Sequence, residues 1–176
     1  MHIQNKMKRL VKSILLFIIL FSIVAYSWYL SNITGAESNE LSKGVAKVIE
    51  ELSGKYFPIN HSDTFWHTTL NSILRKIAHF MEYMLIGAMA CLFFNTLFRK
   101  VWHAALSAIV LCPLLAYIDE YKQQFPFGRA HMWADVRLDA YGALLGIFII
   151  TLIFFIYRYI QKLQARIYSL ENQRNS

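Results

Sequence analysis

Charged residues are scarce in this chain. Only 16% of its 176 residues are Asp, Glu, Lys or Arg, whereas 56% are hydrophobic. So few polar side chains cannot cover the surface of a small soluble domain, and the composition therefore argues against that class. No internal repeat or low-complexity segment is evident, and the length suggests one domain.

The chain also lacks the common sequence marks of cofactor and metal sites. Its two cysteines, Cys91 and Cys112, do not have metal-type spacing. Both are interpreted as small buried hydrophobic residues, with a disulfide left open as the alternative. There is no phosphate-binding Walker loop, no nucleophile elbow and no zinc-type HExxH motif. The sequence therefore predicts no cofactor and no metal.

What the chain has instead is long runs without charge. Residues 13–36, 101–118 and 140–157 contain no charged side chain, and residues 77–98 contain only Glu82. Each run is close to the roughly 20 residues that a helix needs to cross the hydrocarbon core of a bilayer. Lipid requires backbone groups to bond internally, so helices are expected. The sequence predicts an all-α polytopic membrane protein with spans at about 13–31, 77–98, 101–118 and 136–158.

The net charge of +7 is distributed unevenly along the chain. With four spans, the segments before span 1, between spans 2 and 3 and after span 4 share one side and carry ten bases and one acid. The positive-inside rule therefore predicts cytoplasmic termini, with basic tails at 1–12 and 159–176 and a membrane domain at 13–158. This distribution favours contact with anionic lipid headgroups and argues against nucleic acid. Span 1 is interpreted as a retained anchor, with a signal peptide as the alternative.

The long segment between spans 1 and 2 is then expected outside the cell. Ser38 can cap a helix, and apolar residues follow it at helical spacing as far as Leu52. This amphipathic helix could lie on the outer leaflet or cover the bundle. A second helix is expected to begin near Asp63 and to run into span 2.

Ionisable residues concentrate near the predicted outer ends of three spans. On span 2, His79, Glu82 and Tyr83 share one helical face, and Arg75 and Lys76 precede them. Span 3 ends at Asp119 and Glu120, with Gln123 one turn beyond, and Arg129 follows in the loop. On span 4, Asp135 and Asp139 lie on the stripe that continues through Gly142 and Gly146, a GxxxG pattern that lets a neighbouring helix approach closely.

Several interpretations of this group of residues stay open. Ionisable side chains inside a membrane are costly and normally face inward with partners, so they could form a salt bridge network that fixes helix register. Pairs of Arg129 or Arg137 with the acids, and of Lys76 with an adjacent acid, are candidates for such a network. Alternatively they could line a headgroup-level pocket, in which Arg129 suits a phosphate. His79 beside the acids could act as a base or nucleophile, or could join them in holding a divalent cation.

At these residues the sequence resembles the VanZ-like family of small bacterial membrane proteins. The family's upstream signature of Lys, His-Phe and Glu-Tyr matches Lys76, His79, Phe80, Glu82 and Tyr83. Its downstream pattern matches Asp119, Glu120, Gln123, Phe125, Gly128, Arg129, Asp135, Asp139, Gly142, Ala143 and Gly146. Two positions depart from the pattern, because Phe127 stands where proline is usual and Asp139 stands where asparagine is usual.

The resemblance implies an envelope protein, since the family is named for a protein associated with resistance to teicoplanin, a lipid-tailed glycopeptide antibiotic. We therefore expect a membrane protein that engages a lipid or lipid-linked phosphate headgroup in the outer leaflet. Candidate acid, base or shaping residues are His79, Glu82, Asp119, Glu120 and Asp135, and candidate ligand-binding residues are Lys76, Tyr83, Gln123, Arg129 and Asp139. Alternatives are a membrane-embedded lipid-phosphate hydrolase or transferase, and a lipid or small-solute transporter that would need a homodimer. Expected partners are membrane lipids or lipid-linked cell-wall intermediates.

Overall fold

The computed structural model describes residues 2–31, 44, 64–122 and 133–175. Four helices make up the described segments: α1 (His2–Ser31), α2 (Thr64–Leu97), α3 (Val101–Lys122) and α4 (Trp133–Asn175). All four are long and apolar enough to cross a membrane, over Ile3–Tyr29, Ser72–Leu97, Val101–Lys122 and Trp133–Arg174. The predicted all-α, four-span architecture is confirmed. Apart from Gly44, the predicted amphipathic helix at 38–52 lies outside the described residues.

The helices extend further than the predicted spans. α2 begins at Thr64, so the expected second helix and span 2 form one continuous helix. α4 continues past residue 158 to Asn175, through the segment interpreted from sequence only as a basic tail. Hydropathy predicts only the part of a helix that is apolar enough to cross a membrane, whereas helical hydrogen bonding can continue beyond that part.

α2 and α4 form the tightest pair, and three glycines explain it. A methyl group at Gly142 would collide with the carbonyl oxygen of Phe80, and one at Gly146 with that of Met84. From the other helix, a methyl group at Gly87 would collide with the carbonyl oxygen of Ala143. The two backbones are therefore in direct contact, as the GxxxG pattern predicted.

α3 packs against this pair through a stripe of small residues. Ala104, Ala108, Cys112 and Ala116 recur at every fourth position and are 0% exposed. Cys112 and Cys91 are both buried free thiols, so the alternative of a disulfide between them is wrong. Pro113 lies inside α3 without ending it, as membrane helices allow where neighbouring groups satisfy the freed carbonyl.

Arginines hold the helices together at one end of the bundle, which we call the basic end. Arg9 of α1 donates from Nε to the carbonyl oxygen of Thr96 and from Nη2 to that of Leu97, the latter at 3.1 Å. Arg158 of α4 donates to the carbonyl oxygen of Arg99 at 2.8 Å. The last carbonyls of a helix have no partner within it and carry partial negative charge, so cations are stabilising there. Both terminal helices are thereby fixed to the turn between α2 and α3.

Candidate functional site

The opposite end of the bundle, which we call the acidic end, buries carboxyl groups from three helices. Asp119 is 0% exposed, Glu120 3% and Asp139 3%. The carboxyl group of Asp139 lies within electrostatic range of Asp119, Asp135, Glu120 and Glu82. The sequence predicted that these acids would face other helices instead of lipid, and the burial of the three agrees with that expectation.

Tyr83 links α2 to α3 at the centre of this region. Its side chain is 1% exposed, and its hydroxyl donates to Oδ2 of Asp119 at 3.2 Å, with the carbonyl oxygen of Leu115 at 3.4 Å. A carboxyl group that is removed from water needs such donors, because an unsatisfied buried polar group costs about 1–3 kcal/mol or more. Tyr83 therefore holds the Asp119 carboxyl group in place and is better described as a structural support than as a free ligand-binding group.

His79 and Glu82 lie one turn from each other on α2, on the side that faces the acids. Nδ1 of His79 is 3.8 Å from Oε2 of Glu82, and both side chains are partly exposed, by 25% and 21%. This distance allows an ion pair when the imidazole is protonated, but it is longer than a hydrogen bond. A carboxylate in this position is the usual way in which an acid–base histidine is held.

α1 contributes a residue that the sequence analysis did not select. Ser27 is 1% exposed and its hydroxyl lies beside the carboxyl group of Glu82, although the hydroxyl makes no hydrogen bond of standard geometry within the described residues. Leu20, Val24 and Ser27 form the buried face of α1 at i, i+4 and i+7. The spacing of these three residues could have indicated from the sequence that Ser27 faces the other helices.

A small polar cavity opens between α2, α3 and α4 at the acidic end. Its volume is about 30 Å³, which is room for about one water molecule. Cations and a histidine come from α2, and carboxyl groups come from α3 and α4. The lining residues are Ser72, Arg75, Lys76, His79, Glu120, Asp135, Leu138 and Asp139.

Comparison with known proteins identifies the family of this chain. A family model described as VanZ/LLP1 matches residues 14–155, which is most of the chain and covers α2 and α3 completely and α1 and α4 in part. The chain belongs to the VanZ/LLP1 family. The comparisons with curated proteins and with solved structures gave no match.

In this VanZ/LLP1 chain the predicted site residues separate into three groups. Lys76, His79, Glu120, Asp135 and Asp139 line one cavity. Glu82, Tyr83 and Asp119 belong to the network behind it. Gln123 and Arg129 lie outside the described residues, as do Phe125 and Gly128 of the family pattern.

Two further sequence expectations concern ion pairs and metals. Arg137 is exposed and donates from Nε to the carbonyl oxygen of Trp133 at 3.3 Å; among the described residues it has no ion pair with Asp135. In the described part of the chain, no group of three or more His, Cys, Asp or Glu residues is close enough to hold a metal ion. The carboxyl groups thus converge without forming a chelating set within those residues.

Lys122 joins α1 to α3 at the same end. Its Nζ lies 3.6 Å from the ring centroid of Trp28, a cation–π contact. The contact between Trp28 and Lys122 was not predicted from the sequence, because two residues that lie 94 positions apart in the chain form no local pattern.

Proposed function

We propose that this protein binds the phosphate-bearing headgroup of a membrane lipid or a lipid-linked cell-wall intermediate at the acidic end of the bundle. The observation that supports the proposal is the placement of Arg75, Lys76 and His79 on one wall of the cavity. Guanidinium and ammonium groups make the charge-assisted hydrogen bonds that phosphate oxygens accept most strongly. The cavity has room for about one water molecule, so the phosphate would lie at its rim, where Lys76 is exposed, and only a group the size of an ammonium would enter it.

The carboxyl groups that line the cavity indicate which kind of headgroup it would bind. Glu120, Asp135 and Asp139 place carboxyl groups across the cavity from the cations. Ionised carboxylates repel a bare anion and attract an amine, and each effect grows where water is excluded. The mixed lining therefore favours a headgroup that carries an amine beside its phosphate over one that carries phosphate alone.

The proposal includes an orientation in the membrane. The basic end gathers Arg9, Arg99 and Arg158, and the positive-inside rule assigns such an end to the cytoplasm. The acidic end would then face outward, where a lipid-tailed glycopeptide meets the cell. Through headgroup binding there, the protein would lower sensitivity to teicoplanin.

Binding can be tested with the purified protein in detergent and native mass spectrometry. The probes are phosphatidylethanolamine, phosphatidylglycerol and undecaprenyl phosphate. Lys76→Gln removes a cavity cation, whereas Lys162→Gln removes an exposed cation at the other end of the molecule. Because a hydrogen bond to a charged group contributes about 1.5–3 kcal/mol, Lys76→Gln should weaken lipid binding roughly tenfold or more.

Three outcomes distinguish the possibilities for binding. The proposal is supported if the parent protein binds phosphatidylethanolamine in preference to the other two lipids, and if this preference is lost in Lys76→Gln but kept in Lys162→Gln. Preference for the two anionic lipids would overturn the argument from the acidic wall. Equal binding by the parent and both variants would show that the cavity is not the binding site.

The pair of His79 and Glu82 favours a second candidate, a membrane-embedded lipid-phosphate hydrolase or transferase. Nδ1 of His79 lies 3.8 Å from Oε2 of Glu82, and in this candidate Nε2 would be the atom that acts on a substrate. Labelled undecaprenyl and phospholipid phosphates provide the test. Turnover that is abolished in His79→Ala but kept in His103→Ala would establish the enzyme, provided that both variants retain the parent's helical circular dichroism.

The effect on teicoplanin has its own measurement. Expression in a susceptible Gram-positive host should raise the minimum inhibitory concentration of teicoplanin, and Lys76→Gln should remove that increase. No increase with the parent protein, at confirmed membrane expression, would exclude this part of the proposal.

A further inference from the structure

The end of α4 extends beyond the bundle. Arg158 is hydrogen-bonded to the turn between α2 and α3, so residue 158 lies level with the basic end. The helix continues to Asn175, and residues 159–175 add about 26 Å of length at the helical rise. All described side chains of this extension are exposed, and no other described residue covers it.

The extension carries a regular apolar stripe. Within residues 159–175 Ile160, Leu163, Ile167 and Leu170 recur at alternating steps of three and four residues, and Ile149, Ile153 and Ile156 continue the stripe back into the span; each of the seven is between 40% and 57% exposed. A repeat of seven residues defines the seam of a left-handed coiled coil, and a helix that only lies on a surface does not need to keep it. The stripe begins within the membrane span and runs without interruption through the extension.

The residue types specify which kind of coiled coil fits. In this register Ile153, Ile160 and Ile167 occupy a positions, and Ile156, Leu163 and Leu170 occupy d positions, so both d positions beyond residue 158 are leucine. β-branched residues at a with leucine at d favour two parallel strands. Two copies inserted in the same orientation also present their extensions on the same side and pointing the same way, so only a parallel pairing is available to them.

Charged residues beside the seam match this pairing. Arg166 falls at g and Glu171 falls at e of the next heptad. In a parallel two-stranded coil these two positions face each other across the seam. A symmetric pair would therefore form the same Arg166–Glu171 ion pair twice. Lys162 falls at c, away from the seam.

We propose that the stripe is the docking surface for a second copy of this chain, which pairs through a parallel coiled coil of residues 153–174. The pairing lies at the end of the molecule opposite the candidate site, so it does not depend on the proposed function. It places two bundles side by side with their extensions on a common axis.

Cysteine crosslinking in membranes tests the pairing. Leu163→Cys introduces a thiol at d, where the two strands are closest, and Ala165→Cys introduces one at f, which points away from the seam. The native thiols can stay, because Cys91 and Cys112 are buried. With a mild oxidant, Leu163→Cys should give at least about fivefold more disulfide-linked dimer than Ala165→Cys, since disulfide geometry is met only at the seam.

Charge reversal then tests whether the partner is a second copy of the same chain, with Arg166 of one copy paired to Glu171 of the other. In the Leu163→Cys chain, Arg166→Glu or Glu171→Arg alone places like charges across the seam and should lower the dimer yield about threefold to tenfold. The two changes together restore opposite charges and should restore the yield. Equal yields at d and f, or a double variant no better than the singles, would overturn the proposal. Leu163→Cys that forms no dimer and reacts with a lipid-phase probe would show that the stripe lies on the bilayer instead.

Discussion

Substitution of Gly146 by alanine tests the close contact of α2 and α4. A Cβ at this position would lie 2.9 Å from the Met84 carbonyl carbon and from the Ala88 nitrogen. Backbone atoms cannot rotate away as a side chain does, so the helices have to separate. Overpacking typically lowers stability by about 1–3 kcal/mol. Replacing glycine by alanine in a helix raises stability by up to about 1 kcal/mol, because alanine has the higher helix propensity. We therefore expect a net loss of about 1–2 kcal/mol.

The measurement is unfolding in mixed detergent micelles with increasing sodium dodecyl sulfate, followed by helical circular dichroism. Leu145→Ala is the matched control, because it changes the adjacent position, where the side chain is 40% exposed; we expect an effect below about 0.5 kcal/mol, as is usual for surface substitutions. If Gly146→Ala equals or exceeds the parent in stability, the helix propensity gain outweighs the collision, and the backbone contact described above is not a determinant of the fold.

Three further predictions concern the two ends of the bundle. Tyr83→Phe removes the donor to Asp119 and should lower stability by about 1–3 kcal/mol in the same unfolding assay, whereas Tyr141→Phe, at a side chain that is 63% exposed, should have little effect. Lys122→Gln should lower the free energy of unfolding by about 0.5–2 kcal/mol, because the contact with Trp28 is lost. If Lys122→Gln lowers stability by the same amount in a chain that already carries Trp28→Leu, the contact with Trp28 is not the cause. Reporter fusions should place both termini in the cytoplasm, and an external terminus would reverse the assignment of the acidic end.

The spans were predictable because membrane insertion depends on local composition. A run such as 140–157, without a single charge, has few alternatives to a membrane helix. The ends of the helices were not predictable to the same degree. The extension of α4 past Arg158 is polar on most faces, so hydropathy gives no reason to continue the span. Only its seven-residue repeat indicates that the helix continues.

Pairings between helices were only partly visible in the sequence. The pattern Gly142-x-x-x-Gly146 indicated that some helix approaches α4 closely, but the same pattern suits any partner. Gly87 completes the contact from α2 and stands alone in its segment, without a spacing that would mark it. The basic tails were interpreted as contacts to lipid headgroups, whereas Arg9 donates to carbonyl groups at the end of α2 and Arg158 donates to the carbonyl group of Arg99 in the turn that follows.

At the candidate site, the sequence identified the residue types better than their roles. The spacing of His79, Glu82 and Tyr83 placed them on one face of α2. That face spans both the cavity and the core behind it, so His79 reaches the cavity while Tyr83 is buried against Asp119. Spacing along a helix gives direction around its axis but not depth in the bundle, because depth is set by the neighbouring helices.

The direct backbone contact of α2 and α4 has a consequence for how a lipid would reach the acidic end. Those two helices form a stiff frame that cannot part without losing their closest packing. The cavity lies between α2, α3 and α4, so a lipid of the kind proposed above would have to approach it alongside α3, because the direct backbone contact closes the seam between α2 and α4.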